Sequence, residues 1–207
     1  DINTPDSSLK TYKISSKMQH YLPIVKDRWL IRTHAEFGYL NFYSNQDTQA
    51  MPIFDHFYAG GQGSIRGYAN NSLGPRYATQ IDNNNETRII ESNSNTFIAG
   101  NYMGGNILLE AGVELIFPRP WESRNIRTLF FIDIAQLYNN NCSESTYNTT
   151  CNNESDINYD SLNKTYGLAF IWISPMAPIQ LSIARPIDQK PGDKIDTRIQ
   201  FTLGYGL

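Results

Sequence analysis

The sequence of 207 residues predicts an all-β protein, a transmembrane antiparallel β-barrel to which this chain contributes about seven strands. Three observations lead to this prediction. Seven segments alternate apolar and polar residues, short turns alternate with long connections, and 13% of the residues are aromatic although the mean hydropathy is negative. A barrel wall places apolar residues against lipid and polar residues in its interior, so its average hydropathy is close to neutral.

The alternation is clearest in two neighbouring segments, residues 107–117 and 127–135. In the first, Glu110 and Glu114 fall on one face, and in the second Asp133 shares a face with Phe131. Carboxylates on one face of a strand predict a wet interior. The other five segments are residues 12–18, 29–39, 166–172, 179–184 and 199–205, and the second of these would turn Arg32, His34 and Glu36 inward.

The connections between these segments are of two kinds. Residues 41–105 and 138–163 are long, whereas residues 23–27, 174–178 and 188–196 form short turns. Outer-membrane barrels have short periplasmic turns and longer extracellular loops, so we expect both long connections to be extracellular. Because such barrels have an even number of strands and at least eight, seven strands cannot close alone. We therefore expect the carboxyl-terminal part of a longer barrel, with residues missing before Asp1.

Composition excludes several other classes. The net charge of -3 without long runs of one sign gives no nucleic-acid footprint, and no stretch approaches the roughly 18–20 apolar residues of a spanning helix. Cys142 and Cys151 lie in an Asn/Ser/Thr-rich stretch, which favours a loop disulfide over a zinc site. The three histidines lack metal-ligand spacing, so we expect neither a metal nor a cofactor.

The first long loop contains a glycine-rich motif. It begins with a glycine pair, Gly60 and Gly61. Two short runs follow, Ile65-Arg66-Gly67-Tyr68 and Gly74-Pro75-Arg76. A phosphate-binding loop would end in Lys-Ser/Thr, and a nucleophile elbow would have a glycine two residues after Ser64. Both patterns are missing, so the motif does not indicate phosphate binding or serine catalysis.

An arginine on a loop that folds into a barrel loses hydration and needs acceptors for its donors. Glu114 and Asp133 face inward on neighbouring strands and can accept them, while Phe131 offers a ring face to the guanidinium of Arg66. We predict a loop-to-lumen lock formed by these four residues. The alternative is that both carboxylates are simply solvated in the lumen.

The motif resembles the Val-Arg-Gly-Phe or Val-Arg-Gly-Tyr hallmark of the BamA superfamily, with Ile65 in place of valine. Further matches follow in order down to Ala184-Arg185-Pro186, and Glu114 and Asp133 match the family's partners for this arginine. The resemblance implies a sixteen-stranded barrel in the bacterial outer membrane, preceded by soluble POTRA domains that this chain does not contain. It also implies a factor that folds and inserts outer-membrane β-barrel proteins, with outer-membrane lipids, nascent barrel clients and accessory assembly lipoproteins as partners.

The last segment is similar to the carboxyl-terminal signal strand of outer-membrane barrels. It contains Phe201, Leu203, Gly204 and Tyr205 and ends in Leu207, where Phe or Trp is usual. In the family, the glycine that matches Gly204 kinks this strand and helps to open the seam with the first strand, which implies a lateral gate. A plain closing strand is the alternative.

Three other functions stay open. One is a sister transporter of the same superfamily, either the translocation and assembly module or a two-partner secretion pore. Another is the barrel of a surface lipolytic enzyme fusion, although nothing in this chain indicates catalysis and we expect no enzyme. A plain porin is the third, but it would not need the loop motif. The number of POTRA domains upstream would separate the first of these from the assembly factor.

Overall fold

The computed structural model describes residues 11–25, 29–43, 51–81, 87–89, 98–118, 125–140, 162–187 and 199–204. They form ten strands and one short 3-10 helix, Ile53–Asp55. The strands are β1 (Thr11–Val25), β2 (Trp29–Phe42), β3 (Arg76–Ile81), β4 (Thr87–Ile89), β5 (Ile98–Tyr102), β6 (Ile107–Ile116), β7 (Ile126–Tyr138), β8 (Asn163–Ile173), β9 (Pro178–Pro186) and β10 (Ile199–Leu203). No helix in these ranges is long and apolar enough to cross a membrane.

Seven strands form one antiparallel sheet in the order β1-β2-β6-β7-β8-β9-β10. This confirms the predicted fold class and all seven strand segments. Sequence neighbours pair throughout except at β2 and β6, which pair across the first long loop. In the described part of the chain, β1 and β10 are the two edges of the sheet.

Strand ends differ from the prediction most at β1, which was expected over residues 12–18 and continues to Val25. Its pairing with β2 runs on through Pro23, with a register shift between Pro23 and Val25. Backbone pairing with a neighbour, rather than side-chain polarity, decides where a strand ends. For this reason the weak alternation after Met18 did not reveal the extension.

The first long loop is more ordered than the sequence suggested. Besides the 3-10 helix it contains β3, β4 and β5, which form a separate sheet in the order β4-β3-β5. Phe57 and Gly105 join the two ends of the loop through two backbone hydrogen bonds of 2.8 and 3.0 Å between N and O. Strands as short as Thr87–Ile89 carry too few residues to show an alternating pattern.

The large sheet has two different faces. We call the face on which loop residues 51–75 pack the lumen face, and the opposite one the outer face. The outer face exposes apolar side chains along every strand, including Ile14, Val113, Ile132, Leu168 and Phe201. On the lumen face the loop covers a cluster of buried residues, namely Leu40, Met51, Phe57, Ala59, Ile65, Tyr68, Leu73, Leu108, Ala135 and Leu137.

Aromatic side chains lie at both ends of the outer face. At one end Trp29 packs edge-on against Phe117, with ring centroids 5.4 Å apart. At the other end Tyr12 packs against Tyr39 and Tyr43 at 5.9 and 5.1 Å. The ten steps from Trp29 to Tyr39 span about 33 Å along the strand, or about 25 Å of height at a tilt of about 40°. That height matches the apolar band of an outer-membrane barrel.

Candidate functional site

The loop motif lies directly on the lumen face of the sheet. Its tip turns through Gly60, Gly61 and Gly67, all of which have positive φ. Gly67 has φ +92°, and a Cβ atom there would come within 2.9 Å of the Cβ of Ala184 on β9. A residue without a side chain is therefore needed both for the turn and for the approach to the wall. Ile65 and Tyr68 on either side are fully buried.

Arg66 makes a two-pronged contact with Asp133 of β7. Its Nε donates to Oδ2 and its Nη2 to Oδ1, both at 2.7 Å, and its backbone N–H donates to Oδ2 at 3.3 Å. Nη2 also lies 2.9 Å from Oε1 of Glu114 on β6. The side chains of Arg66, Asp133 and Glu114 are 5%, 1% and 4% exposed, so the ion pairs are shielded from solvent. The sequence prediction named these three residues, and the structure brings them into contact.

Phe131 forms the floor of this site. The guanidinium carbon of Arg66 lies 3.5 Å from the centroid of its ring, a stacking distance at which a cation is attracted to the face of an aromatic ring. Phe131 is directly opposite Glu114 on β6 and Gly167 on β8. A Cβ on Gly167 would lie 2.6 Å from Cζ of Phe131 and would overlap the carbonyl oxygen of Ile183. The missing side chain therefore gives the ring its space.

A second cation completes the charge balance. Nη1 of Arg32 on β2 donates to Oε2 of Glu114 at 3.0 Å, so two arginines face two carboxylates. The sequence placed Arg32 on the lumen face but gave no sign of this partner, because Arg32 and Glu114 are register partners across the long loop. Burial by itself lowers the pKa of Arg66, but the hydrogen bonds and charge of Asp133 raise that pKa above its ordinary value overall. Arg66 therefore stays charged.

Further hydrogen bonds hold the motif to other strands. The hydroxyl of Ser64 donates to the carboxylate of Glu110 on β6 and accepts the N–H of Gly60 at 3.0 Å. The amide of Gln62 donates to the hydroxyl of Ser182 on β9 at 3.1 Å. The side-chain amide of Gln200 on β10 binds the loop backbone at Gly67 and Tyr68. None of these contacts was predicted from the sequence, in which the inward direction of alternate strand residues was the signal for them.

The remaining predicted residues fall in different places. Gly74 has φ +92° and packs against Leu137, and Pro75 leads into β3, where Arg76 is the first residue. Phe201 and Leu203 point outward from β10, 64% and 65% exposed. Gly204 follows that strand with φ +108°, and its N–H donates to the carbonyl of Pro178 at 2.9 Å. Cys142, Cys151, Tyr205, Leu207 and the side chain of Arg76 lie outside the described residues.

Comparison with known proteins identifies relatives along the whole chain. The family model described as "Omp85 superfamily domain" matches residues 1–206. The outer membrane protein assembly factor BamA of Neisseria meningitidis serogroup B is 29% identical over 222 residues, which cover 99% of this chain and 25% of the relative. The human sorting and assembly machinery component 50 homolog is 26% identical over 161 residues, 73% of this chain and 28% of the relative.

A solved structure gives the same result. The crystal structure of BamA from Haemophilus ducreyi lacking POTRA domains 1–3 matches with a TM-score of 0.76 and 29% identity, over 97% of this chain and 36% of that chain. The chain thus spans about a quarter to a third of the relatives that it matches. Fold and relatives together indicate a bacterial outer-membrane protein, which confirms the predicted localisation. This chain belongs to the Omp85 superfamily, as the resemblance of its loop motif and strands implied.

Proposed function

We propose that this chain is the carboxyl-terminal part of a factor that folds and inserts β-barrel proteins into the bacterial outer membrane. The observation that carries the proposal is the buried contact of Arg66 with Asp133, Glu114 and Phe131. It pins a loop to the inner side of the sheet, a feature that a simple pore does not require. The names of the relatives, assembly factors and sorting and assembly machinery, support the same function.

The proposed mechanism needs no covalent chemistry. A client strand would pair with an exposed strand edge of the barrel by β-augmentation, which satisfies its backbone groups inside the membrane. The favourable free energy would come from strand pairing and from burial of the client's own apolar surface. The locked loop would keep the inner wall fixed while this exchange takes place at its edge.

The edge that we propose as a lateral gate is β10. In the described structure Ile199–Leu203 pair with β9, and β10 is one edge of the described sheet. Gly204 follows directly with φ +108°, and its N–H still donates to the carbonyl of Pro178 at the start of β9. A glycine in a strand has no side chain to pack and gives the backbone more freedom, which weakens the strand at that point. In the complete protein we propose that this strand meets the first strand of the barrel.

The proposed partners follow from this mechanism. Nascent β-barrel clients would contact the edge of β10, and outer-membrane lipids would contact the apolar outer face. Accessory assembly lipoproteins would bind through POTRA domains encoded upstream of this chain. None of these partners requires a cofactor.

The test is a charge reversal with a rescue in the complete protein, read out as the yield of folded client barrels in lipid vesicles. Arg66→Glu places a third carboxylate beside Asp133 and Glu114, and breaking one side of a buried ion pair costs about 3–5 kcal/mol. We expect at least a tenfold loss of client assembly. Adding Asp133→Arg should restore it in part, because the pair is rebuilt with reversed charges while Glu114 still opposes the new carboxylate.

The matched control is Arg127→Glu, the same charge change on β7 at an exposed position. It should leave assembly close to the wild-type level. Normal assembly by Arg66→Glu, in protein that is folded and inserted, would refute the proposed role of the lock.

A further inference from the structure

The side chain of Gln200 connects the last strand to the loop motif. It lies on the lumen face of β10, 9% exposed, and its two polar atoms bind two consecutive residues of the loop. Its Oε1 accepts the backbone N–H of Gly67 at 3.0 Å, and its Nε2 donates to the carbonyl of Tyr68 at 2.7 Å. A primary amide can match a backbone donor and a backbone acceptor in this way because it carries one group of each kind.

These two residues follow Arg66 directly in the sequence. The same short stretch of loop is therefore fixed at one end to β6 and β7 by ion pairs and at the other to β10 by the amide of Gln200. The loop thus bridges strands that are not neighbours, since β8 and β9 lie between β7 and β10. Movement of β10 away from the lumen must either break both Gln200 hydrogen bonds or pull on the loop.

Here we propose that Gln200 is a positioning residue that couples the loop motif to the last strand. The locked loop holds β10 in the position that the structure shows. Breaking the ion pairs of Arg66 loosens the contact of the loop with β10, and breaking the hydrogen bonds of Gln200 loosens the ion pairs. The inference deepens the proposed function, because it assigns the loop a regulatory role at the strand taken as the gate. The coupling free energy between the loop and β10 is the same in both directions, so a change at either one affects the other.

Among the described residues, β10 is in contact with β9 along one edge and with the loop on its lumen face. Five register pairs connect it to β9, and its outer-face residues Ile199, Phe201 and Leu203 are more than half exposed. The contact of Gln62 with Ser182 holds the neighbouring strand β9 but not β10. The two buried hydrogen bonds of Gln200 therefore add to the pairing with β9 in holding β10 in place.

The experiment is hydrogen–deuterium exchange on the complete protein in lipid nanodiscs, comparing wild type with Gln200→Met. Methionine has a similar length and volume but cannot make either hydrogen bond. We expect exchange to become about tenfold faster for the amide of Gly67 and for the amides of β10 together, since each hydrogen bond contributes a modest amount. The strands β6 and β7 should keep their protection.

The control is Thr202→Val, which changes a polar residue two positions further along the lumen face of the same strand. It should leave both regions protected. Equal loosening by both variants would show general packing of β10 and overturn the proposal, as would faster exchange in β10 with an unchanged Gly67 amide.

The reciprocal variant keeps the proposal testable even if Gln200→Met does not fold. Arg66→Lys retains the charge but loses the two-pronged contact and the stacking on Phe131, so it should speed exchange in β10, a strand with which the Arg66 side chain makes no ion pair among the described contacts. Unchanged exchange in β10 would reject the coupling alone. Normal client assembly by Arg66→Glu together with coupled exchange would reject the proposed function and leave the coupling intact.

Discussion

Arg66 carries a full charge at a position almost closed to water. Removing a guanidinium from water is costly, and the cost is offset only when its donors meet well-placed acceptors. Here Asp133 accepts two side-chain hydrogen bonds, Glu114 a third contact, and Phe131 covers the flat face of the guanidinium. The pairing fixes one position of the loop, since any shift would leave charges buried without partners.

The two carboxylates of this site could be predicted from the alternation of side chains along their strands. Glu114 and Asp133 lie on adjacent strands with clear alternation, so their inward direction and proximity follow from the sequence. The contacts of Arg32 and Gln200 were not predicted. Their contacts depend on pairings and loop positions that are distant in the chain, 82 residues for Arg32 with Glu114 and 133 for Gln200 with Gly67.

Gly167 makes room for the ring of Phe131. Gly167→Ala should lower the free energy of unfolding by about 1–3 kcal/mol, because its Cβ would overlap Phe131 and the backbone of β9. Urea unfolding of the complete protein in lipid vesicles measures this change. Gly63→Ala is the control, since a Cβ there meets nothing within 4 Å and its effect should be small.

The loop and the last strand are in direct contact although they lie far apart in the chain. The loop has its own small sheet, and two backbone hydrogen bonds join Phe57 to Gly105 at its base. Its tip, residues 60–68, reaches across the lumen face to β9 and β10. A loop that is hydrogen-bonded at its base and at its tip is suited to transmit a displacement of the last strand.

A cross-link between β10 and the first strand of the barrel tests the proposed gate. A disulfide that joins β10 to the first strand of the complete barrel should abolish client insertion, and reduction should restore it, because the seam can no longer open. The comparison is a disulfide made from Ile171→Cys and Gln180→Cys, register partners on β8 and β9 away from the seam. Full activity with a verified cross-link at the seam would contradict the gate.

For the molecule as a whole, the two faces of the sheet set the environment. The outer face carries an apolar band with aromatic residues at both ends, whereas charged residues such as Lys17, Glu36 and Asp133 lie on the lumen face. Each strand therefore separates lipid from a polar interior. This division explains why the mean hydropathy of the chain is negative although the protein is in a membrane.

The band predicts how charge is tolerated on each face. Ile132→Arg, at the middle of β7 on the outer face, should lower the free energy of unfolding in lipid vesicles by about 2–4 kcal/mol. Gln19→Arg, on the lumen face opposite His34, should change it little. Equal effects of the two substitutions would mean that the outer face does not contact lipid.

The sequence by itself determined the number of strands in the large sheet, the direction of their side chains and the family. All of these follow from local periodicity and from a short motif, which are written in consecutive residues. Only the tertiary structure decided that β2 pairs with β6, that the first long loop contains a sheet of its own, and that Gln200 holds that loop to the last strand. The physical reason is that strand register and loop placement depend on hydrogen bonds between residues far apart in the chain, and local patterns do not encode such partners.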